Sequence, residues 1–139
     1  YHRIYSSMIS HITLGTVDLE RAIAFYSPIM EMLGLQRVPA ERSKSFVMWT
    51  GADSFRPMVA LTTPQNGEPH HPGNGQMLAL LAPDRETVAR VHAAALEAGG
   101  EDEGAPGLRP QYHSNYFGAY FRDLDGNKLC IVCHDAVER

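Results

Sequence analysis

One pattern runs through the 139 residues twice, and few folds can satisfy it both times. The first copy is Ser10-His-Ile-Thr-Leu-Gly-Thr-Val-Asp18-Leu-Glu-Arg-Ala-Ile-Ala-Phe-Tyr26. Residues 9–17 are apolar or β-branched and alternate in character, the mark of a strand. His11, Thr13 and Gly15 project one way; Ile12, Leu14 and Thr16 project the other. Asp18 suits an N-cap, because its carboxylate can accept from an unpaired N–H of the first helical turn. Leu19, Ala22, Ile23, Tyr26 and Ile29 then recur at helical spacing. The second copy is Gln76-Met-Leu-Ala-Leu-Leu-Ala-Pro83-Asp84-Arg-Glu-Thr-Val88. A shift of 66 positions lays Asp84 on Asp18, Val88 on Ala22, His92 on Tyr26 and Gly100 on Gly34. Both helices are thus expected to end at a glycine in the left-handed C-cap conformation, Gly34 and Gly100. Extended, Pro- and Gly-punctuated sequence follows each. The expectation is one domain over 8–139, made of module one (8–65), a linker (66–73) and module two (74–139).

Inside that frame the first helix meets Pro28, which lacks an N–H and clashes with the preceding turn. A break is expected there, with Ser27 capping and Pro28 opening a second short helix to Leu33. Strands are expected at 36–38, 45–50 and 58–63, and Gly51–Pro57 turns between the last two. Pro64–Gly75 joins the modules; it places His70 and His71 in an exposed linker. The second helix runs from Asp84 to about Ala98, with Val88, Val91, Ala95 and Leu96 as its buried stripe. Glu101–Pro110 is a long loop or irregular strand. Residues 116–122, the turn Asp123-Leu-Asp-Gly-Asn127 and residues 128–134 form a closing hairpin.

The net charge of −4 gives no general attraction to nucleic acid or to an anionic membrane. No apolar run approaches the roughly 20 residues of a membrane span. No basic stretch followed by an apolar one marks a signal peptide, so a cytoplasmic protein is expected. Met8 is a natural start, which makes residues 1–7 a tag or an N-terminal extension. Cys130-Ile-Val-Cys133-His134 matches the string of a c-type haem attachment, and its C-x-x-C also fits redox and zinc sites. Alternation along a strand argues against all three, because residues 130 and 133 then face opposite sides. Two small buried thiols are the expectation.

A histidine on the first strand, D-L-x-x-A-x-x-F-Y on the first helix and Phe121-Arg-Asp-Leu-Asp-Gly-Asn-Lys-Leu129 before the last strand together resemble the vicinal oxygen chelate superfamily, the glyoxalase I, bleomycin-resistance and extradiol dioxygenase group. The likeness covers 8–134. It implies an α+β fold in which two tandem βαβββ modules form a curved mixed sheet, a cup, with the helices on its outer face. It also implies a divalent ion in metal-dependent relatives (zinc, nickel or iron) held by His and Glu from the first and module-ending strands. Carried over position by position, the first-strand ligand matches His11. Its counterpart in module two is Met77, and the final-strand Glu position is Cys130. The strand ending module one, Val59–Thr63, has no carboxylate. Glyoxalase chemistry wants His and carboxylate ligands with open positions, and non-haem iron wants two His and one carboxylate. His11, Met77 and Cys130 form a softer set, nearer to what suits Cu(I).

Aside from metal, the assets are the cup and its mouth. Trp49, Tyr112, Tyr116 and Tyr120 are expected to line an apolar pocket with polar tips, and Gly118 leaves room between two of them. The other reading is core packing for Trp49 and Tyr120, and plain exposure for Arg109, Tyr112 and His113. Arg109 can pair with a carboxylate or phosphate on a ligand. His11 and His113 are the candidates for general acid or base. The expected ligand-binding set is His11, Trp49, Met77, Arg109, Tyr112, His113, Tyr116, Tyr120 and Cys130. Three functions remain open. The first is a glyoxalase-like lyase or isomerase with a degenerate metal site. The second is a metal-independent protein that sequesters a small toxic or aromatic compound, as the bleomycin-resistance branch does. The third is a structural or regulatory homodimer. The family likeness implies a homodimer in each case.

Overall fold

The computed structural model describes residues 7–39 and 45–137. The expected tag or extension lies outside these, apart from Ser7. Module one runs β1 (His11–Gly15), α1 (Leu19–Met32), β2 (Leu35–Val38), β3 (Phe46–Gly51) and β4 (Met58–Thr62). Module two repeats the order with β5 (Leu78–Leu81), α2 (Arg85–Glu97), β6 (Glu101–Leu108), β7 (Phe117–Arg122) and β8 (Lys128–Cys133). The strands form two mixed four-stranded sheets, ordered β1-β4-β3-β2 and β5-β8-β7-β6. In each the opening strand lies parallel to the closing one, and the rest is antiparallel. Both modules thus carry the same topology, as the duplicated pattern requires, and the fold is α+β.

The N-caps follow the sequence. Asp18 Oδ1 accepts from Arg21 N at 3.2 Å, and Asp84 Oδ1 accepts from Thr87 N at 2.7 Å. Two details differ. First, α1 runs unbroken through Pro28. Phe25, Tyr26, Ile29 and Met30 are all buried, so packing on both sides of the proline outweighs its missing hydrogen bond. Second, the left-handed glycine after α2 is Gly99 (φ 102°), one residue ahead of the expected Gly100, while Gly34 (φ 76°) holds its place after α1. Helix α2 is one residue shorter, so the shift relating the modules changes where it ends.

The irregular stretch after α2 is a strand, β6, at the edge of its sheet and with register shifts on either side of Gly104. Pro106 lacks a ladder donor, and an edge position with bulges is where a strand tolerates that.

Alternation divides each sheet into two faces. Ile12, Leu14, Val47, Trp49, Val59 and Leu61 from module one join Leu78, Ala119, Phe121, Leu129, Ile131 and Cys133 from module two in one core against both helices. Phe25 and Phe121 meet across the modules at 6.2 Å. The two cysteines are free and buried, and Cys133 belongs to this core, whereas Cys130 faces the other way.

The modules are locked at the Asp123-Leu-Asp-Gly-Asn127 turn. Asp123 is 6% exposed. Its carboxylate accepts from Tyr26 Oη at 2.5 Å and from Asn127 Nδ2, Asn127 N and Asp125 N at 2.9 Å each. Asn127 Nδ2 also donates to Gly15 O at 2.9 Å, and Val17 N donates to Asp125 Oδ1 at 2.9 Å. One turn of module two thus holds the end of β1 and the middle of α1. His70 joins it, with Nε2 2.9 Å from Asn127 Oδ1 and its ring packed on Gly15, where a Cβ would lie 2.2 Å from Nδ1. The expectation of an exposed linker histidine therefore holds for His71 and fails for His70, which the absence of a side chain at Gly15 admits to the seam.

Candidate functional site

The face of the module-two sheet turned away from the helices opens on a cavity of about 670 Å³ lined by the 74–77 segment, Tyr112, His113, Tyr116, Tyr120, Arg122, Lys128 and His134. It adjoins a smaller one of about 310 Å³ at the seam with β1; Gln76, Met77 and Lys128 line both. Backbone geometry builds the larger cavity. The loop from β6 to β7 closes on itself through Arg109 N to Tyr116 O (2.8 Å), Tyr112 N to Arg109 O (3.0 Å) and Tyr116 N to His113 O (3.3 Å). Gly118 lets the Tyr116 ring lie on β7: a Cβ there would sit 2.9 Å from Tyr116 Cε1. Gly104 does the same for Tyr120 and Gly107 for Arg109, where a Cβ would meet atoms at 3.0 Å.

The floor is a neutral polar cluster. Tyr116 Oη lies 2.9 Å from Tyr120 Oη and 3.4 Å from Cys130 Sγ. Burial raises both phenols, and burial likewise pushes the Cys130 thiol up, so all three keep their protons at neutral pH. Tyr112, 62% exposed, tilts onto Tyr116 with ring centres 4.8 Å apart.

The wall carries two histidines whose protons can be placed. Asn115 N donates to His113 Nδ1 at 3.1 Å, so that nitrogen bears a lone pair and Nε2 bears the hydrogen. His113 Nε2 lies 2.8 Å from His134 Nδ1 and therefore donates to it. The ring centres are 5.0 Å apart with planes 28° from parallel, which fits an in-line N–H···N bond. His134 then carries its hydrogen on Nε2. His113, a candidate acid or base by sequence, has both nitrogens engaged. Among the described residues, the N–H left without a partner belongs to His134.

Of the remaining expected residues Met77 reaches the cavity lining and the others fall elsewhere. Trp49 is 3% exposed in the core and faces the helices, so the core-packing alternative holds for it. Arg109 stacks at 5.5 Å from the Tyr120 ring centre and donates to Ala105 O. Met77 is 45% exposed at the cavity edge. His11 is exposed on β1, its Nδ1 2.9 Å from Ser10 Oγ. Lys128, Arg122 and His134 were missing from the expected set. Alternation along β8 already puts Lys128 on the same face as Cys130, and His134 lay inside the C-x-x-C-H string.

The donor set does not fit the zinc, nickel or iron centre that the family likeness implies. Among the described residues no three His, Cys, Asp or Glu side chains gather as a metal-binding group. Cys130, at the position of the final-strand ligand, is a protonated thiol whose sulfur lies against the Tyr116 hydroxyl.

A family model, Glyoxalase/Bleomycin resistance protein/Dioxygenase superfamily, matches residues 8–131. The chain belongs to this superfamily. Among solved members, the glyoxalase/bleomycin resistance protein from Albidiferax ferrireducens T118 is similar at 35% identity and a TM-score of 0.79, over 93% of this chain and 100% of that one. A glyoxalase-related enzyme from Fulvimarina pelagi is 25% identical with a TM-score of 0.66, over 91% of this chain and 87% of that one. A family enzyme from Burkholderia phytofirmans PsJN, at 21% identity and a TM-score of 0.67 over 91% and 98%, shares the fold. No curated protein matches. Among the described residues of this superfamily member no helix is long and apolar enough to cross a membrane.

Proposed function

We propose that this chain binds a small organic molecule on the helix-free face of the module-two sheet and does so without the His/carboxylate metal centre of its metal-dependent relatives. The observation that carries the reading is the cavity itself: about 670 Å³, walled by three tyrosines and a methionine with a few converging polar groups, the usual make-up of a small-molecule site. The reading favours sequestration over a lyase or isomerase. His11 stands apart from the residues lining that cavity, and His113 has no free lone pair for proton abstraction.

Elemental analysis of tag-free protein beside a His11→Ala sample tests the metal half. Well under one equivalent of metal in both samples is expected. Near-stoichiometric zinc, nickel or iron that disappears in His11→Ala would overturn it. Amide chemical-shift changes confined to the 112–120 and 128–134 segments, on titration with small aromatic compounds, test the cavity half.

A further inference from the structure

The charge of this cavity runs against the charge of the chain. The protein carries a net −4, yet the lining holds two cations, Arg122 and Lys128, and no carboxylate. Arg122 is matched: its Nε donates to Glu103 Oε1 at 2.8 Å, and Nη1 donates to Gly126 O at 2.9 Å. Lys128 has no acidic partner among the described residues. It is half-buried, with Nζ 5.8 Å from the Tyr120 ring centre. Arg109 approaches the same ring, also half-buried and also without an acidic partner among the described residues. Two like charges held partly out of water repel, and the attraction of the Tyr120 ring for each offsets only part of that cost, so an anion beside Lys128 is favoured. The lining adds a neutral donor as well, the Nε2–H of His134, which the bond from His113 leaves pointing away from the pair.

We propose that the ligand is a small organic anion whose carboxylate or phosphoryl group is met by Lys128, while its apolar body lies on Tyr112, Tyr116 and Tyr120 toward His134. This rests on the binding reading above and adds the chemical class. Arg109 holds the Tyr120 ring and adds positive potential. At the end of the cavity away from Lys128, His113, with its hydrogen fixed on Nε2 by Asn115 N, keeps His134 Nδ1 an acceptor and His134 Nε2 a donor.

Three matched probes test this on the whole chain: benzoate, phenylphosphonate and the neutral benzamide, each titrated while the signals of Tyr116, Tyr120, Lys128 and His134 are followed by NMR. At least one acid is expected to bind about tenfold more tightly than benzamide, the margin of one charge-assisted contact. That margin shrinks as salt is raised. Which acid binds better distinguishes a carboxylate from a phosphoryl ligand. Lys128→Met is expected to bring the acids down to the level of benzamide and to leave benzamide unchanged. Equal binding of benzamide and both acids, or an acid preference that survives Lys128→Met, overturns the anion proposal and leaves the binding reading standing. If none of the three probes moves these signals, both fall.

Discussion

Module one and module two arrange their strands identically and cap their helices with an aspartate at matching positions, yet the sheet faces turned away from the helices have little in common. Alternation gives module one His11, Thr13, Met58, Ala60 and Thr62 there. Module two carries Tyr120, Arg122, Lys128 and Cys130 at the corresponding depth, with Tyr116 and two histidines at the rim. The helix-facing residues had no such freedom, because both sheets must close on one shared core. The difference teaches where a duplicated fold can change: the buried face is fixed by packing, and the open face is left to chemistry. A second asymmetry lies in the turns between the last two strands. That of module two carries Asp123 and ties the modules together. That of module one, Ala52–Pro57, is largely exposed.

Replacing Asp123 breaks this comparison most severely. Asp123→Ala leaves Tyr26 Oη and the Asn127 amide without their buried acceptor, and a loss of about 3 kcal/mol is expected. For a domain of this size that lowers the melting temperature by about 10 °C in calorimetry. Asp53→Ala, in the exposed turn of module one, should cost no more than about 0.5 kcal/mol. Equal costs would show that the Asp123 turn is not what joins the modules.

Tyr26→Phe sharpens the same point. Tyr26 and His92 occupy matching positions, but Tyr26 reaches across to Asp123 whereas His92 bonds Asp102 in its own module. Removing the Tyr26 hydroxyl should cost about 1.5 kcal/mol, the worth of one hydrogen bond to a carboxylate. In the Asp123→Ala background it should cost far less, since the acceptor is already gone. Alkali gives a further check. Burial, then the Asp123 charge, raises the Tyr26 phenol well above its ordinary value. The unfolded chain therefore gives up this proton first as pH rises past about 10, and stability falls there. Tyr26→Phe should show a shallower alkaline decline.

Most of the fold was legible because it rests on short-range signals: alternating strands, Asp caps and glycine stops. The two misreadings of the helices have one source. Pro28 and Gly100 were judged by local preference, and tertiary packing decided Pro28 while a one-residue difference in helix length decided Gly99. The seam was legible only in part. D-L-x-x-A-x-x-F-Y and R-D-x-D-G-N stand about 100 residues apart, and nothing local says that the tyrosine of one meets the aspartate of the other. The site was half-legible for a similar reason. Tyr112, Tyr116, Tyr120 and His113 come together because they share one loop and strand. Lys128 and His134 come from β8 and its end, and only the pairing of β7 with β8 brings them there. Trp49 could not be assigned by residue type, because a tryptophan serves a core as readily as a pocket, and the parity of β3 settled it.

The smallest effect concerns the histidine–aspartate contact that module two keeps to itself. His92 Nε2 lies 2.9 Å from Asp102 Oδ1. The Gly104 N–H, and after it the His92 ring, hold the Asp102 carboxyl below the ordinary aspartate range. A depressed value means that the unfolded chain binds this proton first as pH falls. The contribution is therefore complete above about pH 4 and is lost on acidification through the lowered value. Asp102→Asn removes it, so the gap in stability between wild type and variant should be widest near neutrality and close as pH falls below about 4 in urea titrations. The carboxylate is open to solvent, so the gap is small and shrinks further in salt. A gap that stayed constant through acidification would mean that Asp102 acts by filling space in the β6 bulge, not by its charge. Paired with the alkaline decline set by Tyr26, the result separates the two modules' use of one helical position: acid reports the bond kept within module two, and alkali reports the bond that crosses the seam.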